Sequence, residues 1–231
     1  MTPNYLLIGR GRLATHLFHW LPATGHDIRH RWSASLDPRE DLLPRATQCS
    51  HILIATSDRK IPDLIQALKP LNKTLIHFSG ALTDPDAIAV HPLMTFPEQI
   101  YDLSDYVQIP FSLDRDDLQL KDLFPNFENP SFVVPPKQRL LYHALCASGG
   151  NLSQLLWAEV EKIWSTKLGL PADLLRPYQR RCLENLIQNG ASSITGALVR
   201  GDQQTVKNHY DVLQGTPLKK IYETFEQELF Q

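Results

Sequence analysis

Hydrophobic positions follow two rhythms along this chain, and the change between them divides it. In the first part, short apolar runs alternate with stretches of helical period. Tyr5-Leu6-Leu7-Ile8 enters a glycine turn, and the residues from Arg12 to about Leu21 read as a helix. His26 to Trp32 reads as a second strand, and His51 to Thr56 is a β-branched run of the kind buried in parallel sheets. Ile61 to Leu71 has helical period. Thr74 to Phe78 is a strand ended by Ser79-Gly80, and Ala87 to His91 is another, stopped by Pro92. Tyr106 to Leu113 and Phe132 to Val134 add strands, with an amphipathic segment from Asp116 to Phe124 between them. Strands separated by helices of about 10–15 residues imply βαβ units and a parallel sheet.

The rhythm changes at Pro135-Pro136. From Lys137 the pattern is helical to Leu168, interrupted only by Gly149-Gly150, and Gly169-Leu170-Pro171 is a stop and restart signal. Helices are expected from about Ala172 to Ile194, Asp202 to Leu213 and Pro217 to Leu229, with Asp202 as an N-cap. The expected fold class is therefore α/β: an N-terminal Rossmann-type doubly wound parallel sheet over residues 1–136, then an all-helical C-terminal domain over 137–231. About 95 residues suffice for such a small domain.

The first turn narrows the function. Gly9-Arg10-Gly11-Arg12-Leu13-Ala14 has the G-x-G-x-x-A form of the dinucleotide fingerprint, placed between a strand and a helix. Gly9 permits the tight turn, Gly11 lets a pyrophosphate approach the backbone, and Ala14 lets the helix pack close on the strand. The helix start then offers free N–H groups and the positive end of its dipole to phosphate. An NAD site commonly places an acid at the end of the second strand. Here the segment reads Arg29-His30-Arg31-Trp32-Ser33-Ala34-Ser35, with no acid between Asp27 and Asp37. Guanidinium groups and serines suit a 2′-phosphate, so NADP is expected, held through Arg31 with Ser33 or Arg29. Thr56 and Ser57, after the third strand, complete the expected cofactor-binding set.

Composition adds exclusions. A formal charge of −2 argues against a nucleic-acid binder that depends on phosphate neutralisation. No apolar run approaches the ~20 residues of a membrane span. The N-terminus runs straight into a strand, which leaves no room for a signal peptide. Cys49, Cys146 and Cys182 are scattered and lack metal spacing, so they read as free thiols of a reducing compartment. A cytoplasmic protein is expected. The long helix carries Leu152, Leu155, Leu156, Val160 and Trp164, more apolar face than a small helical domain needs, which predicts a homodimer through the C-terminal helices.

Candidate chemistry gathers at strand ends and on the long helix. His91 and Ser79 each lie at or just after such an end, where ligands of doubly wound sheets bind. Tyr142-His143 through Asn151 forms a stripe of small residues with a histidine at one end and an asparagine at the other. An imidazole can give or take a proton at neutral pH. His143 is expected as proton donor, His91 as a structural or orienting residue, and Asn151 or Ser79 to orient the substrate.

These pieces together resemble a family: Rossmann-like proteins carrying the C-terminal domain of unknown function 2520, relatives of the deazaflavin-dependent NADP reductases and of pyrroline-carboxylate reductase. The matching pieces are the Gly9 to Ala14 turn, Thr56-Ser57-Asp58, His77-Phe78-Ser79-Gly80-Ala81-Leu82, His91-Pro92-Leu93 with Phe96, Tyr142-His143-Ala144 with Asn151, Asn185 with Gly190, and Thr195-Gly196 with Arg200-Gly201-Asp202. The resemblance implies an NADP-type Rossmann domain, a helical second domain and a homodimer. The expected function is an NADP-dependent oxidoreductase that passes a hydride to a C=O or C=N carbon of a small-molecule substrate in the cleft between the domains. The alternative is a non-catalytic NADP-binding sensor or scaffold.

Overall fold

A computed structural model describes residues 2–229. Seven strands form one sheet in the order β2-β1-β3-β4-β5-β6-β7. They are β1 (Asn4–Ile8), β2 (Asp27–Trp32), β3 (His51–Ile54), β4 (Thr74–His77), β5 (Ile88–Pro92), β6 (Phe111–Leu113) and β7 (Ser131–Val133). The first five run parallel, β6 is antiparallel to β5, and β7 is parallel to β6. The winding reverses between β1 and β3, the place where open α/β sheets leave a crevice at the carboxyl ends of their strands.

Strand alternation sorts the side chains into two cores. Tyr5 and Leu7 face one side, Leu6 and Ile8 the other. The first side is covered by α1 (Arg12–Ala23), which buries Ala14, Leu17, Trp20 and Leu21. Trp20 stacks on Phe127 there, ring centroids 4.4 Å apart. The second side is covered at β1 and β3 by α2 (Leu42–Thr47) and α3 (Ile61–Leu68), through Leu42, Ala46, Ile61, Ile65 and Leu68. Farther along the sheet, Ile76, Val90, Phe111 and Leu113 belong to the first core. Alternation therefore turns His77, His91 and Ser112 to the second side, which is polar in that region.

Three elements differ from the sequence reading. The pattern gave no sign of α2, which carries Pro44 inside its six residues. The strand expected from Tyr106 to Leu113 begins only at Phe111. Residues Leu103–Tyr106 form a helical turn (α4), Pro110 can donate no ladder bond, and Asn129 Nδ2 holds the intervening carbonyls of Tyr106 and Ile109 at 2.6 and 3.0 Å. The amphipathic segment from Asp116 condenses to α5 (Leu120–Leu123), closed by a capping box of Gln119 and Asp122.

The chain forms two compact units, the first reaching Gly149 and the second starting at Gly150. The break at Pro135-Pro136 opens the helical half, yet α6 (Arg139–Cys146) packs within the first unit. The interruption at Gly149-Gly150 is a π-helical segment, Ala147–Leu152. Such segments are rare and concentrate at functional places. The second unit continues with α7 (Ser153–Leu168), α8 (Arg176–Asn189), α9 (Ala197–Arg200), α10 (Gln203–Val212) and α11 (Pro217–Leu229). Gly169 ends α7 in the left-handed conformation, and Asp202 caps α10 by accepting the Thr205 N–H at 3.1 Å, both as the sequence predicts.

Candidate active site

The crevice at the winding reversal is a cavity of about 770 Å³. That is the size of a small-ligand site. Gly9, Arg10, Gly11, Arg12 and Leu13 form one wall, Ser33 to Ser35 a second, and Ala55 to Asp58 with Ser79 a third. Gly9 has φ +133°, and a Cβ there would run into the Ala55 carbonyl, so only glycine fits. Gly11, the N-cap of α1, faces open space where its Cβ would be. Ala14 is fully buried beneath the turn. The bare Cα, the free amides of the first turn of α1 and the open cavity fit a pyrophosphate, the cofactor group that the sequence predicts here.

At the end of β2 the cation beside the cavity is Arg10. Its Nε donates to Ser33 Oγ at 3.1 Å, and its Nη2 lies 3.8 Å from Asp37 Oδ2. Asp37 is already engaged: its carboxylate accepts the Ser33 N–H at 2.8 Å and pairs with Arg45 at 2.9 Å. The Ser33 amide first, and then Arg45, hold its carboxyl below the usual carboxylate range. Arg31, expected on the phosphate, is turned elsewhere. Its Nε donates to the Gly9 carbonyl at 3.1 Å and its guanidinium lies 4.7 Å from the Phe18 ring centroid. It braces the glycine turn from behind. Arg29 pairs with Asp27 and donates to the Gln48 carbonyl, farther back along β2.

Ser79 is fully engaged in holding its turn. Its hydroxyl donates to Asp58 Oδ2 at 2.9 Å and accepts the N–H groups of Ala81 and Leu82 at 3.2 and 3.1 Å. Its carbonyl accepts Arg139 Nη2 at 2.8 Å. Arg139 is completely buried, and its Nε and Nη1 have no hydrogen-bond partner among the described residues.

Beside this turn two imidazoles meet over Gly80. The rings of His91 and His143 lie 5.7 Å apart, nearly perpendicular at 89°. A Cβ on Gly80 would come within 3.1 Å of His91 Nε2 and collide with the His143 ring, so the glycine is what admits both. His91 Nδ1 lies 2.9 Å from the Tyr142 hydroxyl. Burial, and then the electrostatic influence of His143 and Arg139, pull the His91 pKa down to about 4. Behind it, His77 is fully buried, both ring nitrogens without a hydrogen-bond partner among the described residues, and burial with the Arg139 charge brings it to about 4 as well. Both rings are neutral at physiological pH.

The structure thus brings Gly9, Arg10, Gly11, Arg12, Leu13, Ser33, Thr56, Ser57 and Ser79 to one cavity, with His91 and His143 paired at the residue after Ser79. Asn151 lies exposed on the π-helical segment, in the second unit. Sequence reasoning gave no site role to Asp58, Arg139 or Tyr142. The signal for the last two was present: Arg139, Tyr142, His143 and Cys146 recur at helical spacing, while Leu140, Leu141 and Leu145 are 63–72% exposed. The polar face of α6 is the one turned inward. Among the described residues no group of three or more His, Cys, Asp or Glu is arranged to hold a metal ion. Nor is any helix among them long and apolar enough to cross a membrane.

Fold and crevice place the chain in the Rossmann-like α/β class. It belongs to the family described as Domain of unknown function (DUF2520), whose pattern matches residues 112–229. No curated protein matches it. Among solved structures it is similar to BF3122 from Bacteroides fragilis, a candidate NADP oxidoreductase, with TM-score 0.81 and 18% identity over 99% of this chain and 98% of that one. A reductive aminase from Aspergillus terreus, in complex with NADPH4, cyclohexanone and allyl amine, gives TM-score 0.63 and 13% identity over 99% and 95%. Pyrroline carboxylate reductase from Plasmodium falciparum, with NADP bound, gives 0.56 and 14% over 97% and 97%. At these identities the likeness establishes the fold.

Proposed function

We propose that this protein is an NADP-dependent reductase acting on the C=O or C=N carbon of a small substrate. The carrying observation is the cavity at the winding reversal, which is mouthed by Gly11 and the start of α1 and ends at Ser79, one residue from the paired imidazoles. The NADP-linked activities in the names of the similar structures point the same way. NADPH, when bound, supplies the hydride from its nicotinamide. The chain's own residues bind and orient. The α1 amides take the pyrophosphate. Arg10 with Ser33 takes the 2′-phosphate, because Asp37 is already neutralised by Arg45 and the Ser33 amide. His143 gives a proton to the substrate oxygen or nitrogen as the carbon is reduced. His91, held neutral, orients that atom.

The three unpaired cysteines suit a reducing cytoplasm. The exposed leucines of α6 and of the second unit support a homodimer through the helical half.

Calorimetric titration tests the cofactor reading. NADPH is expected to bind at least several-fold more tightly than NADH, and equal affinities or no binding of either would reject it. Given turnover, His143→Ala should lower kcat by ~10²–10⁴ with NADPH affinity little changed, the usual contribution of a general acid. A variant with full kcat removes His143 from the mechanism.

A further inference from the structure

Tyr142 projects from the inward face of α6, half-buried, with its hydroxyl 2.9 Å from His91 Nδ1. The two rings meet edge to face, centroids 5.6 Å apart, and Phe132 packs against Tyr142 at 6.0 Å. The phenol is thereby held against Nδ1 of His91, with Ser112 and Cys146 as its other polar neighbours. The other nitrogen, Nε2, stands over Gly80, which has no side chain of its own, beside the ring of His143.

We propose that Tyr142 is a positioning residue, whose O–H donates to Nδ1 of His91 and so fixes the ring proton on Nε2, the nitrogen beside Gly80. A neutral imidazole carries one proton, so the partner of one nitrogen decides what the other can do. A buried phenol O–H needs an acceptor, and Nδ1 lies at hydrogen-bond distance. The opposite tautomer would leave a bare acceptor at Gly80. Charge on the ring would erase the distinction, but burial first, with the Arg139 guanidinium nearby, keeps it neutral.

This deepens the reductase reading and rests on it for its purpose. An Nε2–H donor at Gly80 selects a substrate whose reacting group accepts a hydrogen bond: a carbonyl oxygen or an unprotonated imine nitrogen. A protonated iminium, which has no lone pair to offer, gains nothing from it. His91 then polarises the acceptor atom without losing its own proton, and the transferable proton is left to His143.

The tautomer can be read without turnover. The full chain, labelled with ¹⁵N-histidine and free of nucleotide, is examined at pH 7 by long-range proton–nitrogen correlation, and His91→Gln identifies the His91 signals. In the unsubstituted protein, Nδ1 of His91 should resonate as a bare nitrogen and Nε2 as a protonated one. Tyr142→Phe, which keeps the ring but loses the hydroxyl, should move His91 toward a mixture of tautomers and leave His16 and His26 unchanged. A proton found on Nδ1 in the unsubstituted protein overturns the proposal, as does a Tyr142→Phe spectrum identical to it. The unsubstituted spectrum decides even if the variant does not fold. Failure of the NADPH titration would remove the reductase reading and leave this tautomer standing. Where turnover is measurable, Tyr142→Phe should lower kcat by ~10-fold or more, the direction a wrong tautomer takes a catalytic histidine, with KM for NADPH unchanged.

Discussion

The unit reaching Gly149 and the unit starting at Gly150 bury apolar surface on different scales. The first has two cores, one on each side of its sheet, with Trp20, Tyr106, Phe111 and Phe124 at 1% exposure or less. The second, among the described residues, fully buries only Leu175, Ala197 and Val206, while Leu155, Leu183 and Ile187 stand 65%, 59% and 75% exposed. Its α10 and α11 meet through polar rings: His209 Nδ1 lies 2.8 Å from the Tyr222 hydroxyl, and Tyr210 bonds Glu226. A sheet covered by helices on both sides is self-sufficient. A set of helices with leucines outside leaves apolar surface exposed. The lesson is that helical period in the sequence says where a helix is, not what its apolar stripe meets.

The largest effect should come from that stripe. Light scattering at micromolar concentration is expected to give twice the 26.3 kDa chain mass. The paired change Leu155→Glu with Ile187→Glu should return the protein to a single chain by placing two charges in an apolar contact. A single-chain mass for the unsubstituted protein would break the comparison, because the second unit would then stand with its leucines in water.

The first unit should respond to core truncation by itself. Trp20→Ala is expected to cost about 3–5 kcal/mol in urea unfolding, the range for losing a buried aromatic. Its polar layer should respond to acid. His77 is neutral when folded, with a pKa of about 4 against 6.5 unfolded. The unfolded chain therefore takes up a proton first as the pH falls below 6.5, and stability is lost progressively from there down to about 4. Between pH 7 and 5 this amounts to on the order of 2 kcal/mol. His77→Leu should flatten that dependence, and an unchanged slope would show that the charge is relieved elsewhere. The smallest effect is at the cavity: Arg10→Ala should weaken NADPH binding about tenfold and leave NADH binding nearly unchanged, as loss of one guanidinium–phosphate contact implies.

Much of this was legible in the sequence. The Gly9–Ala14 turn, the strand runs, the Asp202 cap and the helix from Pro217 to Leu229 follow from local chemistry, where neighbouring residues decide the outcome. What was not legible depended on direction in space. Arg10, Arg29 and Arg31 look equally able to reach a phosphate. Phe18, on the adjacent helix, captures Arg31 and leaves Arg10 at the cavity. Ser79 reads as a free hydroxyl until Asp58 and two backbone amides are seen to occupy it. Arg139 in a leucine-rich helix reads as a solvated cation, since burying a guanidinium is costly. Only the fold shows the Ser79 carbonyl waiting for it.

The two outer strands of the sheet govern how its borders meet a foreign strand. At one border lies β2, Asp27-Ile28-Arg29-His30-Arg31-Trp32, whose cations resist the approach of a foreign strand. At the other lies β7, three residues set between Pro130 and Pro135. Neither border offers a long, flat, apolar ribbon to a neighbour, so fibril-like stacking is discouraged at both ends. With both borders guarded, the exposed leucines of the helices are the larger apolar surface that this fold offers, and contact through helices can close on itself where strand pairing propagates.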